Sequence, residues 1–322
     1  MQGHLIPDRV AVLSRSFSKN AILRDELQAV YSHAKFNETG RTLAGDELIE
    51  FVAGHDGVIV ALEKLDRAML ARMRGVRVLT KYGVGLDNVD LEAASELGMR
   101  LGWTAGVNAC SVAELTIGFA ISLLHLVPQL NREIHGGIFR QTMGRQLTSC
   151  SVGVVGCGHV GSEVVRLLRP FGNRVLVHDI RRLDAFCAEQ GVEQVSLDIL
   201  LRECDVVTLH LPATKATRMM FNADRLDQMR PNAVLVNTAR GGIVDEAALK
   251  ERLKSSRIAS AAFDVFEPEP PRDEELLLLP NFIATPHIGG SSDQAILAMG
   301  RAAIAGLSHA IDPLEHLPDW AR

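Results

Sequence analysis

Three residues suited to binding an anion and moving a proton follow short apolar runs in the second half of this chain. Arg240 follows Ala233-Val-Leu-Val-Asn237 and precedes Gly241-Gly242, Glu269 lies in Asp264-Val-Phe-Glu-Pro-Glu-Pro270, and His287 lies in Thr285-Pro-His-Ile-Gly-Gly290. A histidine changes charge near neutral pH, and a guanidinium binds planar carboxylates in a fork that lysine cannot copy. Each also has a plainer reading. Arg240 could be a solvated loop cation, Glu269 a surface carboxylate, His287 a structural histidine and Asp264 a turn cap. Their placement favours a site. Strand ends of an open α/β sheet are where ligands collect, and an Arg, a Glu and a His at successive ends would converge on one crevice.

The stretch Ser151-Val-Gly-Val-Val-Gly-Cys-Gly-His-Val-Gly161 supplies a second kind of chemistry. Apolar, β-branched residues stop at Gly156, and Gly156, Gly158 and Gly161 stand in G-x-G-x-x-G spacing before an apolar-periodic segment. That reads as strand, tight turn and helix, with the helix N-terminus aimed at a pyrophosphate. A further strand, Arg174-Val-Leu-Val-His178, ends in Asp179, placed to accept hydrogen bonds from ribose hydroxyls and to repel a 2′-phosphate. Arg181 and Arg182 follow at once and soften that preference. Cys157, inside the turn, is expected to be a small filler residue.

The rest of the chain must position these groups. Before residue 100, strand-like runs (Val10–Leu13, Val58–Val60, Val76–Leu79) alternate with helical ones (Asn20–Tyr31, Leu65–Arg74, Leu91–Leu97), which predicts a parallel sheet. Lys81-Tyr-Gly-Val-Gly-Leu-Asp-Asn-Val-Asp90 follows a strand and exposes backbone N–H groups that could hold an anion. Ser111 is a plausible cap for a helix over Val112–Leu126, apolar nearly all round and so expected to be buried at a domain or subunit interface. Residues 129–149 read as a polar connection. Strands and helices then alternate to Asn281–Thr285, and a last helix, Asp293–His309, is expected to return to the first domain.

At 322 residues, two domains are the natural expectation. A formal net charge of −5 argues against nucleic acid as a bulk partner. The apolar run Leu115–Val127 is too short to span a bilayer and carries His125, so no membrane association is expected. The N-terminus lacks a signal-peptide pattern, and five scattered cysteines without a C-x-x-C pair suit a cytoplasmic location. No metal site is expected.

Taken together, the motifs resemble the D-isomer-specific 2-hydroxyacid dehydrogenase family, on its phosphoglycerate- and hydroxypyruvate-dehydrogenase side. The resemblance runs from about Val58 to Ser292, through Gly83–Asp90, the glycine loop, Asn237–Gly242, Asp264–Pro270 and Pro286–Gly290. It implies an α/β fold of two Rossmann-like or flavodoxin-like domains. A discontinuous substrate domain takes residues 1–101 and 291–322, and an inserted dinucleotide-binding domain takes 102–290. It implies that Arg240 pairs with the substrate carboxylate and polarises the 2-oxygen, that His287 is the acid–base, and that Glu269 hydrogen-bonds it. NAD is implied as cofactor, held by Gly156, Gly158, His159, Val160, Gly161, Asp179, Ile180, His210, Pro212, Thr217, Thr238, Ala239, Asp264 and His287. Lys81, Tyr82, Gly83, Val84 and Gly85, with Arg240, are implied to bind a small 2-hydroxy or 2-keto acid, and the family forms homodimers through its cofactor domain. The chain departs from the common pattern at Ala61-Leu-Glu-Lys64 and Lys81-Tyr82. Glu63, facing substrate, would oppose a phosphorylated one, and Lys64 or Lys81 would favour it. Two alternatives remain at this stage: a dinucleotide-sensing scaffold resembling transcriptional corepressors, and oxidation of an unusual donor such as formate or phosphite.

Overall fold

A computed structural model describes residues 6–317. These residues divide into two units, 6–108 with 293–317, and 109–292.

In the first unit, β1 (Val10–Val12), β2 (Lys35–Phe36), β3 (Gly57–Val60), β4 (Val78–Lys81) and β5 (Arg100–Gly102) form a parallel sheet in the order β2-β1-β3-β4-β5. β1, β3 and β4 are buried along their length, as near-continuous apolar runs in a doubly covered parallel sheet should be. The first boundary falls after Asn108 rather than after Leu101. The intervening residues stay with this sheet, where the Trp103 indole donates to the Val84 carbonyl at 3.1 Å. The last helix, Asp293–Gly306, does return to this unit, with Arg301 on Glu26 at 2.7 Å.

The second unit holds β6 (Val152–Val155), β7 (Val175–His178), β8 (Glu193–Gln194), β9 (Val206–Leu209), β10 (Val234–Asn237), β11 (Ser260–Phe263) and β12 (Phe282–Ala284). They form a parallel seven-stranded sheet in the order β12-β11-β10-β9-β6-β7-β8. The strand order reverses between β6 and β9, which makes the crevice at their carboxyl ends the expected ligand site.

Several elements differ from the sequence reading. The long apolar helix spans Ala109–Leu124, so Ser111 lies in its first turn and is not its cap. Its buried face serves its own unit, where Ala113, Phe119, Ala120, Leu123 and Leu124 share a core with Val234, Val236 and Ala262. Pro128 lies just beyond that helix. It stands in the first turn of another, Val127–His135, where its missing N–H costs nothing, within the stretch that reads as a polar connection. The short edge strands β2 and β8 and the helix Gly45–Val52 also escape detection, the strands because two residues carry no periodicity. Among the described residues, no single helix is long and apolar enough to cross a membrane.

Candidate active site

Close packing explains the glycine turn. Gly156 has φ 88°, and a Cβ at Gly161 would lie 2.0 Å from the Gly156 carbonyl oxygen. The chain therefore turns tightly out of β6 into the helix His159–Leu168, with its N-terminus at Gly158. Around Gly158 there is open space, and Gly158 and His159 are exposed while Val160 is half-buried. Cys157 is buried, and burial with the nearby Asp179 charge pushes its thiol up to about 12. An un-ionised thiol is a poor nucleophile, consistent with a filler.

Asp179 stands at the end of β7 beside this turn. Its Oδ2 accepts from the Cys157 N–H at 2.8 Å and from Arg181 Nη2 at 3.0 Å. Its Oδ1 accepts from the Arg181 N–H and Nε, both at 2.9 Å. Burial works to raise its pKa, but the Arg181 hydrogen bonds and charge, with the Cys157 N–H, hold it below the usual carboxylate range. Arg181 also donates to the Cys157 carbonyl at 3.0 Å. Ile180, next in the chain, is 79% exposed.

Across the switch point, His210 follows β9. Thr208 Oγ1 lies 3.0 Å from its Nε2, while its buried Nδ1 has no hydrogen-bond partner among the described residues. Burial takes its pKa down to about 3, so the ring is neutral at physiological pH. Thr217 Oγ1 donates to the Pro212 carbonyl at 2.6 Å and closes the exposed loop that follows.

The three reactive candidates lie on loops from adjacent strands. Asn237, Phe263 and Ala284 are in register across β10, β11 and β12, so the loops beginning at Thr238, Asp264 and Thr285 leave one edge of the sheet side by side. Buried side chains shape each loop. Asn237 accepts from the Ala239 N–H at 3.1 Å and donates to the Arg240 carbonyl at 3.0 Å, which curls the buried Thr238-Ala239 pair and presents Arg240. A Cβ at Gly241 would fall 2.1 Å from the Phe266 carbonyl, so this loop lies against the next. Arg218 clasps Glu267 through two 2.8 Å contacts across the same contact zone.

Asp264 is 1% exposed and accepts three hydrogen bonds. They come from the Thr285 hydroxyl at 2.5 Å, the Ile288 N–H at 2.8 Å and the Gly289 N–H at 2.8 Å. Its side chain is therefore directed onto the 285–289 loop, where it positions His287. That residue has φ 56°, in the left-handed region that a non-glycine residue occupies at a cost. Glu269 accepts from the Phe266 N–H at 3.1 Å and meets His287 Nδ1 at 3.2 and 3.0 Å through its two oxygens. A carboxylate there favours the tautomer with Nδ1–H toward Glu269 and leaves Nε2 as the nitrogen able to accept a proton. His287 and Glu269 are both half-exposed, so the pair is accessible.

The sequence motifs do not mark two further supports. Thr116, buried in the long apolar helix, places its hydroxyl 2.8 Å from that of Thr238, and the Ser111 hydroxyl donates to the Gly289 carbonyl at 2.6 Å. One helix thus braces both the Arg240 and His287 loops. A polar residue on an otherwise buried apolar helix was the available signal.

In the first unit, the candidate substrate residues follow β4. Lys81 is only 6% exposed, and its ammonium donates to the Ala61 carbonyl and, at 2.5 Å, to Asn88 Oδ1. Glu63 is 2% exposed and caps the Ala61 N–H at 2.7 Å. Neither charge projects into solvent, in contrast to the expectation that they confront substrate; both fold inward to hold the Ala61–Lys64 turn. Lys64 is exposed. Tyr82 packs edge-on against Phe17 at 5.4 Å, and burial raises its pKa. Gly83, with φ 136°, leads into half-exposed Val84 and Gly85.

Residues 117–289 match the family model for the D-isomer specific 2-hydroxyacid dehydrogenase, NAD binding domain. The chain is 36% identical over 267 residues to a D-3-phosphoglycerate dehydrogenase of Methanocaldococcus jannaschii, covering 82% of this chain and 51% of that protein. It is 32% identical over 283 residues to a hydroxypyruvate reductase of Thermotoga maritima, covering 86% and 92%. The chain spans about half the length of the D-3-phosphoglycerate dehydrogenases it matches. Among solved structures, D-lactate dehydrogenase from Aquifex aeolicus complexed with NAD and lactic acid superposes with a TM-score of 0.80 at 25% identity, over 92% of this chain and 93% of that one.

Proposed function

This chain belongs to the D-isomer specific 2-hydroxyacid dehydrogenase family, and from that premise we propose that it is an NAD-dependent oxidoreductase acting at C2 of a small D-2-hydroxy or 2-keto acid. The observation that carries the proposal is the His287–Glu269 contact at 3.0 Å, on a loop that Asp264 holds in a strained conformation. Strain of this kind persists only where the surrounding structure enforces it, here through the Asp264 clamp.

The open helix N-terminus at Gly158, the acid at Asp179 and the orphaned Nδ1 of His210 fit a dinucleotide. Gly156, Gly158 and Gly161 with His159 and Val160 would cradle the pyrophosphate, and Asp179 and Ile180 would meet the adenosine. His210, Pro212, Thr217, Thr238 and Ala239 would line the remainder. When bound, the nicotinamide donates or accepts the hydride. His287 takes the hydroxyl proton through Nε2 in oxidation and returns it in reduction, while Glu269 stabilises the imidazolium formed in between. Arg240 holds the substrate carboxylate in its guanidinium fork and polarises the 2-oxygen.

A homodimer is part of this reading. The segment from Leu126 to Gln146 exposes Ile134, Ile138, Phe139 and Met143, the last two 85% and 96% exposed, and such a patch is an association surface. Solution mass at micromolar protein tests it, with a dimer expected and a monomer contradicting it.

The activity test follows NADH oxidation over a panel of glyoxylate, hydroxypyruvate, phosphohydroxypyruvate and branched-chain keto acids. Turnover with at least one acid supports the proposal. NADH binding without turnover on any of them would favour a dinucleotide-sensing scaffold instead.

A further inference from the structure

Asp179 is saturated. A carboxylate has about four acceptor positions, and the four hydrogen bonds from Cys157 and Arg181 occupy them all. A ribose that sought this acid would have to displace the Arg181 fork. The fork also cancels the negative charge that would repel a 2′-phosphate. Arg181 is anchored at a second point by the Cys157 carbonyl, inside the glycine turn, yet its side chain is 49% exposed. Arg182 is spent on Asp184 at 2.9 Å and points into solvent with 89% exposure.

We infer that Arg181 sets cofactor choice at this site, and that the chain binds the 2′-phosphorylated dinucleotide as well as the unphosphorylated one. Released from Asp179, the guanidinium is a half-exposed, fork-shaped donor beside the position where a ribose 2′-substituent meets the acid. A phosphate there gains a charge-assisted bidentate partner. Either substituent breaks the Arg181 pair: the phosphate gains the fork but meets the uncovered Asp179 charge, and the hydroxyl gains Asp179 but no fork. The two cofactors therefore bind with similar strength, although the acid alone would select against the phosphate. This inference rests on the reading of the glycine turn as a dinucleotide site.

The test is equilibrium binding, followed by nucleotide fluorescence, of NADH and NADPH to wild type, Arg181→Ala and Arg182→Ala. Wild type should bind the two within about tenfold of each other. Arg181→Ala should raise the NADPH-to-NADH ratio of dissociation constants by about tenfold or more, the loss of one charge-assisted fork. Arg182→Ala should leave the ratio unchanged. Circular dichroism confirms folding, which a half-exposed position should tolerate. Binding of NADH with an Arg181→Ala ratio equal to that of wild type overturns this inference and leaves the dinucleotide site standing. Binding of neither nucleotide to wild type overturns both.

Discussion

The carboxyl ends of the two sheets use charge in opposite ways. In the smaller sheet, Lys81 and Glu63 turn inward and are spent on the Ala61–Lys64 turn, which leaves Leu62 and Lys64 exposed with no exposed carboxylate or histidine beside them in that turn. In the larger sheet, the buried polar residues Asp264, Asn237 and Thr116 likewise build loops, but those loops present a second, half-exposed set, His287 and Glu269. The difference separates residues that shape a loop from residues the loop displays. The displayed set is the accessible one.

Removing a shaping residue in the larger sheet should break this comparison most severely. Asp264→Ala strips three hydrogen bonds from the 285–289 loop, so stability should fall by about 3 kcal/mol in urea unfolding. Because His287 loses its position, kcat should fall on the order of a hundredfold even where the protein remains folded. An Asp264→Ala enzyme with wild-type kcat would show that the loop needs no such clamp.

The equivalent change in the smaller sheet should act through stability. Lys81→Met takes the ammonium from Asn88 Oδ1 and leaves the Ala61 carbonyl only its 3.1 Å bond from Asn88 Nδ2, and should cost about 1–3 kcal/mol by the same measurement. Were unfolding unchanged, the inward role assigned to Lys81 would be wrong.

A smaller effect tests His210. Its folded pKa of about 3 lies below the ordinary value of 6.5, so the unfolded chain binds more protons between these limits. Stability from this group is complete above about 6.5 and is lost as pH falls toward 3. Wild type should therefore lose more stability between pH 7 and pH 5 than His210→Phe does. Equal losses would show that the ring is protonated without penalty.

Much of the architecture is legible in the sequence because buried parallel strands leave apolar, β-branched runs and because residue types that favour helix starts, Asp245 and Ser196, do cap helices. The two-residue strands are not, since their existence depends on neighbours supplying hydrogen bonds. Within the site, His287 and Glu269 are legible as residue types in proline-bounded loops, and they meet. The inward turn of Lys81 is not, because a lysine after a strand reads the same whether its ammonium finds solvent or a carbonyl. Nor is the duty of Asp264, since its three partners lie 21 to 25 residues away. Saturation of Asp179 is half-legible: the arginines are adjacent in sequence, but only geometry shows that one of them fills the carboxylate.

The most direct test of the central claim is isotopic. NADH carrying deuterium at both C4 positions of the nicotinamide is incubated with the best keto acid of the panel, and the product is analysed for label position and configuration, with His287→Ala alongside. The account predicts deuterium at C2 of a D-2-hydroxy acid, and a rate lower by about 10²–10⁴-fold in the variant, the usual contribution of a positioned acid–base. Deuterium absent from C2, or an undiminished rate in His287→Ala, would contradict it.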